Sequence, residues 1–350
     1  MPASDSDRAV PRDVLSESEW RNVDAAVERG LRFLASQQRE DGSFHEVPAN
    51  EPGISALCLM AFLSRGHLPD QGSYGEQLSR SADYLLKSQQ PDGLIASRRH
   101  YYHAPYSHGI SSLVLSELYG IRQPTNDVRH ATAIRKAIEF TSHRYSQPKA
   151  SPDDEGGWRY LRRHAASDSD LSVTSWNVMF LRSARNNGFE VDRRLIDEAL
   201  AYMERLYDPT VGTFRYELHT DEPGFIHSRG MAGAGVLSMS MAGRHHTELA
   251  QSSAKYILSQ PFDQYDRTVR GEQYPCYGAF YCSHAMFQMG GTYWKQFYPR
   301  LVQTLLAAQR DDGSWLVREG KDSQYGIPYM TAMSVLALTP PYQTMPIFQR

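Results

Sequence analysis

Two carboxylates flank Ser169 in the string Asp168-Ser169-Asp170-Leu171-Ser172-Val173-Thr174-Ser175-Trp176, where a polar stretch gives way to a helical one. An aspartate at such a boundary can accept backbone N–H groups of the first turn, a cap worth about 0.5–2 kcal/mol. Cys276, Cys282 and His284 are the cysteine and histidine set able to approach a metal, but their spacing of six and eight on one helix gives no shared face. Buried cysteine is the commoner outcome, so no metal is expected. Asp153-Asp154-Glu155 offers a cation or diphosphate–metal site, although acidic triplets in Pro/Gly-rich loops are usually solvated. Arg159, Arg162, Arg163 and His164 follow directly, placed either to pair with those acids or to grip a phosphate. Gly230-Met231-Ala232-Gly233-Ala234-Gly235 reads as close helix packing rather than a phosphate loop. No Gly-x-Ser-x-Gly, His-Glu-x-x-His or Gly-Lys-Ser/Thr string occurs, and no cofactor is expected.

The elements that must position these residues repeat. Ser36-Gln37-Gln38-Arg39-Glu40-Asp41-Gly42-Ser43-Phe44 returns as Ser88-Gln89-Gln90-Pro91-Asp92-Gly93-Leu94 and as Ala308-Gln309-Arg310-Asp311-Asp312-Gly313-Ser314-Trp315. Each copy closes a helical pattern with the same turn chemistry. Val23, Val27, Leu31 and Leu34 precede the first copy at amphipathic spacing, and Leu301, Leu305 and Leu306 precede the last. After each copy comes a segment apolar nearly all round, as in residues 54–63, 110–118 and 330–338, and such a helix must be buried on every side. The alternation covers about six units of roughly 50 residues: about 20–66, 74–121, 127–188, 192–243, 247–291 and 294–340. It predicts an all-α body over residues 19–345 with a mobile tail over 1–18, a short strand arm at residues 213–217, and two polar interruptions near 146–169 and 260–275.

Charge is nearly balanced, 37 Lys+Arg against 40 Asp+Glu over 350 residues, and no Lys/Arg block suggests a nucleic-acid partner. No run reaches the ~18 apolar residues of a membrane span. The amino terminus lacks a basic start followed by an apolar stretch, and three cysteines make no disulfide framework, so a cytoplasmic protein is expected.

Gln37-x-x-x-Asp41-Gly42-Ser43-Phe44 and Gln309-x-x-Asp312-Gly313-Ser314-Trp315, with Gly156-Gly157-Trp158 as a partial third copy, resemble the Gln/Trp repeats of the terpenoid cyclase and protein prenyltransferase superfamily. The resemblance covers about residues 20–340. It implies a squalene-hopene cyclase-like (α/α)6 toroid whose repeats bind outer-helix ends to the next inner helix, and it identifies architecture rather than reaction. In such a toroid the inner-helix amino termini meet at one mouth, which singles out Glu51, Tyr102, Tyr106, His108, Asp168, Asp170, Thr174, Trp176, His227, Arg229, Tyr277, Tyr281, His284, Tyr325 and Tyr329. Of these, Tyr102, His108, Trp176, His227, Arg229, Tyr277, Tyr281, Tyr325 and Tyr329 are the expected ligand contacts. An aromatic lining suits an apolar or carbocationic ligand, each face contributing about 0.5–2 kcal/mol to a cation. Large aromatics near helix ends also serve as core packing.

Asp168 and Asp170 resemble the first and central acids of the Asp-x-Asp-Asp motif of class II terpene cyclases, with Leu171 in place of the third. The resemblance implies Asp170 as proton donor, kept protonated by burial and by its neighbour Asp168. A single Asp here also resembles the Asp-x-Arg-x-x-Tyr start of an inner helix in prenyltransferase β subunits, where the acid is structural. Cys276-Tyr277 resembles the Cys-Tyr of the zinc motif of those subunits, but Tyr274 stands where its Asp belongs and no histidine follows His284. Three functions remain open: acid-initiated cyclisation of an isoprenoid; a non-catalytic toroid holding an apolar or extended ligand or a protein; and a polysaccharide-active barrel in which His227, Arg229 and the tyrosines act on an acidic sugar.

Overall fold

The computed structural model describes residues 12–44, 51–97, 103–122, 127–161, 167–220, 226–265 and 273–350. Its first helix, α1 (Glu17–Gln37), begins at Ser16, whose hydroxyl accepts the Glu19 N–H while the Glu19 carboxylate accepts the Ser16 N–H. This reciprocal cap fixes the start. α1 buries Val23, Val27, Leu31 and Leu34 on one face, whereas α2 (Gly53–Leu63) is buried at every residue. The alternation continues through α3 (Gly75–Lys87) and α4 (Ala104–Arg122), α5 (Val128–Tyr145) and α6 (Leu171–Asn186), α7 (Arg193–Arg205) and α8 (Arg229–Met241), α9 (Glu248–Ser259) and α10 (Pro275–Met289), and α11 (Gly291–Ala308) and α12 (Gly326–Leu338). Each even-numbered helix packs on the next, and α12 returns to α2 and α1, so the inner helices form a closed ring. The fold is the expected (α/α)6 toroid. Among the described residues the one sheet is a hairpin of β1 (Tyr207–Asp208) and β2 (Thr213–Phe214), so the arm expected over residues 213–217 is strand at its first two residues.

The recurring glutamines explain how neighbouring pairs are held. Gln38, rather than the Gln37 quoted for the first repeat, donates its side-chain amide to the following outer helix, as Gln89 and Gln309 do, the acceptors being the carbonyls of Gln77 on α3 (2.7 Å), Ala133 on α5 (2.8 Å) and Ala26 on α1 (2.8 Å). Gln309 therefore joins the last outer helix to the first. The aromatic end of the motif turns inward, with the Phe44, Trp158 and Trp315 N–H groups donating to Ser55 of α2, Thr174 of α6 and Thr331 of α12. The resemblance implied the inner-helix contact alone; the motif grips an outer helix as well. Its glycine is required by geometry, since Gly313 has φ +88° and a Cβ there would stand 2.5 Å from the Arg29 carbonyl oxygen.

At the carboxyl ends of the inner helices the chain folds back across the ring. The single turn Pro346–Phe348 packs on α4 and α6, Ile347 N–H donates to Glu117 (3.0 Å), and the Phe348 ring lies 4.1 Å from that of His284. At the other terminus the Trp20 indole donates to the Arg12 carbonyl, with the Arg12 guanidinium over the same ring. Of the expected tail, residues 1–11 lie outside the described residues. No described helix is long and apolar enough to cross a membrane.

Candidate functional site

The amino-terminal turns of the inner helices surround a chamber with about 1090 Å³ of empty space, counting its open mouth. Side chains four apart on one helix share a face, and those facing the axis form the wall: Gly53 and Leu57 on α2, Tyr106 and Ile110 on α4, Ser172 and Trp176 on α6, Tyr329 and Met333 on α12. Ile54 of α2, Ser107 of α4, Met231 of α8 and Tyr277 of α10 complete the helical part. The rest comes from the connections, which bring in His103, Tyr160, Tyr216, Gln273, Tyr274 and Tyr325. The rings touch one another: Tyr325 lies 4.9 Å from Tyr329 and 6.2 Å from Tyr274, and Tyr160 lies 6.2 Å from Tyr106 and 5.7 Å from His103. Burial holds the Tyr106, Tyr216, Tyr277 and Tyr329 hydroxyls well above their ordinary pKa, so they stay neutral. Among the described residues no Asp, Glu, Lys or Arg lines the chamber. The described lining is aromatic and aliphatic, with neutral hydroxyls, His103 and Gln273.

Directly behind that wall sits a buried charge cluster. Asp170 is fully buried and does cap α6: Oδ1 accepts the Val173 N–H (2.8 Å) and the Ser172 hydroxyl (3.0 Å). Oδ2 has no hydrogen bond of full geometry and faces the Arg159 guanidinium, with Nε at 3.8 Å, and the Tyr216 hydroxyl also acts on the carboxyl. Arg159 makes its direct ion pair with Glu217 instead, and both are buried. Burial pushes the Asp170 carboxyl above the usual carboxylate range even though Arg159, the Val173 amide and the surrounding hydroxyls pull it down. Two hydroxyl routes lead from this carboxyl to the chamber. One runs through Ser172 to Tyr106 (2.5 Å), the other through Tyr216 to Tyr160 (3.0 Å).

Of the expected contacts, Trp176, Tyr277, Tyr325 and Tyr329 line the chamber, and so does Tyr106. Tyr281 stands one layer back, its hydroxyl bonded to Ser175 (2.8 Å) and its ring 4.6 Å from Tyr277 and 5.5 Å from Trp176. His108 points outward instead, with Nδ1 accepting the Ile95 N–H and Nε2 against Thr141 of α5. His227 also misses the chamber and meets Asp208 (3.2 Å), which Arg215 holds as well. The Arg229 guanidinium covers the Phe262 ring at 3.7 Å and donates to the Gln260 and Pro261 carbonyls, so it serves the connection after α9. Asp168 is not beside the Asp170 carboxyl: its side chain accepts the Ala150 N–H (2.7 Å) and its own N–H donates to Asp154. Thr174 belongs to the repeat contact, and Glu51 is buried outside the chamber wall, pushed up to about 8 by desolvation. Tyr102, Arg162, Arg163 and His164 lie outside the described residues.

The acidic triplet corrects the solvated reading at one position. Asp153 and Glu155 are exposed, but Asp154 is buried and accepts from Ser167 and Asp168. Cys276, Cys282 and His284 do not converge: the Cys282 thiol faces the Arg229 carbonyl, Cys276 contacts Tyr265, and His284 packs on Phe348. No cluster able to hold a metal occurs among the described residues. Sequence did not place His103, Tyr160, Tyr216, Gln273 or Tyr274 on the wall, or Glu217 behind it, and it offered Arg159 only as a partner of the acidic triplet or of a phosphate. For four of these the signal was position, since Arg159 and Tyr160 directly follow the Gly156-Gly157-Trp158 copy and Tyr216-Glu217 end the expected strand arm.

No family model and no curated protein matches the chain. Solved structures do resemble it. A variant of the type II terpene cyclase MstE from Scytonema, in complex with geranylgeranyl dihydroxybenzoate as substrate, superposes with a TM-score of 0.63 at 11% identity, over 94% of this chain and 100% of the other. A GH76 α-mannanase from Bacteroides thetaiotaomicron gives 0.60 at 10% identity, over 92% and 96%. A protein from Actinoplanes gives 0.57 at 16% identity, over 90% and 98%. At such identities the likeness extends to the α/α toroid and no further.

Proposed function

We propose that this toroid is a terpenoid-cyclase-type enzyme that starts cyclisation of an isoprenoid by protonating it in the central chamber. The carrying observation is the pairing of a described wall that is aromatic and uncharged with the buried Asp170 carboxyl, held behind it beside Arg159. A linear isoprenoid gains by leaving water for such a wall, and the aromatic faces favour the cation formed after protonation. Asp170 supplies the acid, since burial favours its protonated form. The MstE substrate complex has the same fold and sets the first class of substrate to try.

The polysaccharide reading has less support. Glycosidases place two carboxyl groups across the scissile bond, about 5–9.5 Å apart, and no described carboxylate lines this chamber. His227 and Arg229, the residues that reading requires, turn away from it. The non-catalytic reading shares the chamber but assigns Asp170 to helix capping alone. Incubation with squalene, prenyl diphosphates and geranylgeranylated aromatic acids, followed by extraction and mass spectrometry, separates the two. Cyclised product from wild type and none from a folded Asp170→Asn variant supports catalysis. Retention of the ligand unchanged by both proteins supports the binding module.

A further inference from the structure

Asp170 is close to the chamber but does not line it, so a proton leaving its carboxyl needs a carrier. Oδ1 is already committed, accepting the Val173 amide and the Ser172 hydroxyl. Oδ2 is the oxygen left without a complete hydrogen bond, and an acceptor buried in that state is costly unless it carries a proton and donates. The Tyr216 hydroxyl acts on this carboxyl, lines the chamber and meets the Tyr160 hydroxyl at 3.0 Å. The charges around it agree. Asp170 and Glu217 are two buried carboxyl groups sharing one guanidinium, Arg159, which is always charged. With both acids ionised that guanidinium offsets only one of them, the Lys149 ammonium being held by the Gly157 and Asp168 carbonyls, and taking up a single proton removes the excess. Glu217 holds the direct pair with Arg159, which leaves Asp170, 3.8 Å from Nε, as the acid that takes the proton. The other groups acting on Asp170 are Tyr106 from α4, Tyr202 from α7, Tyr277 from α10 and Lys149 from the connection after α5.

We infer that Tyr216 is a catalytic residue that delivers the Asp170 proton to the substrate, and that Glu217 is a positioning residue that occupies Arg159 so that Asp170 stays protonated. The assignment of the substrate rests on the isoprenoid reading. In the step, the Asp170 Oδ2–H bond breaks as its proton passes to the Tyr216 oxygen. The Tyr216 O–H proton passes in the same motion to a substrate alkene, whose π pair becomes the new C–H bond. The products are the Asp170 carboxylate, a neutral Tyr216 and a tertiary carbocation. A second alkene closes the ring with its π pair, and the final cation loses a proton to water, from which Asp170 is recharged. The balance is an isomerisation, with no oxidant or reductant.

The relay can be read without turnover, by infrared spectroscopy of protein carrying ¹³C-labelled aspartate at neutral pH. A protonated carboxyl band that shifts with the label and vanishes in Asp170→Asn is expected. In Tyr216→Phe the same band should move to higher wavenumber as its hydrogen bond is lost, and in Glu217→Gln it should disappear as Arg159 turns to Asp170. Circular dichroism checks folding of each variant. Absence of the band in wild type, or a band that stays in place in Tyr216→Phe and moves in Tyr106→Phe, overturns the assignment. With any isoprenoid the enzyme converts, kcat of Tyr216→Phe should fall about 100-fold or more with little change in KM, and a fall under about 3-fold also overturns it. If the bands behave as expected while no isoprenoid is converted, the relay stands and the substrate assignment fails.

Discussion

Asp170 combines two jobs that substitution can separate. Asparagine caps a helix about as well as aspartate but cannot donate a carboxyl proton. Asp170→Asn should therefore keep the melting temperature within a few degrees while lowering turnover about 100-fold or more. Asp170→Ala loses the cap as well and should cost a further 0.5–2 kcal/mol, measured by urea denaturation. Equal activity in wild type and Asp170→Asn would reduce Asp170 to a cap. At this scale the sequence was partly legible. Trp176, Tyr277, Tyr325 and Tyr329 were found because they sit at the start of buried helices, where the period predicts an axial position. Tyr160, Tyr216, Arg159 and Glu217 were not, because a side chain on a connection has no periodicity to say which way it turns. Arg159 illustrates the point: its sequence neighbours are Asp153-Asp154-Glu155, yet its partners are Glu217 and Asp170. His108 is the opposite case, an inner-helix residue whose turn of the helix faces α5 and the Thr141 hydroxyl.

The helices and their clasps were far more legible, for a physical reason. An amphipathic helix and an all-apolar helix have different burial requirements, and the chain states that difference most plainly in its first and last units. The turn chemistry recurs because the same junction recurs: an amide that reaches the next outer helix, a glycine with positive φ against its carbonyl, and a backbone N–H held by an inner-helix hydroxyl. What the sequence did not reveal was the second partner of the motif, since a glutamine names a donor and not its acceptor. Gly313→Ala should destabilise the protein by about 1–3 kcal/mol, because the new Cβ meets the Arg29 carbonyl in a strained backbone region. Gln309→Ala removes the amide that joins α11 to α1 and should cost about 1 kcal/mol. Both are read by thermal or urea unfolding, and Gly313→Ala is expected to be the more severe.

As a whole molecule the toroid carries its chamber at the amino ends of the inner helices, while at their carboxyl ends Glu117 holds the turn Pro346–Phe348 against the inner ring. Burial raises the Glu117 carboxyl from 4.5 to about 7, so the native state keeps a proton that the unfolded chain releases between those values. Stability should fall as pH climbs through that window, by up to roughly 3 kcal/mol from this residue. Glu51, raised to about 8, acts in the same direction, so Glu117→Gln should flatten the decline between pH 5 and 8 without abolishing it. A decline that Glu117→Gln leaves untouched would show that Glu117 ionises freely. The described wall of the chamber is aromatic and uncharged, and the proposed isoprenoid chemistry rests on it. The direct measurement is turnover of a linear isoprenoid in D₂O, with the deuterium content of the cyclised product determined by mass spectrometry. Protonation by Asp170 through its hydroxyl relay predicts a carbon-bound deuterium at the site of initiation, absent with Asp170→Asn because no product forms. A cyclised product without solvent deuterium at that site, or no product from any isoprenoid tested, would contradict it.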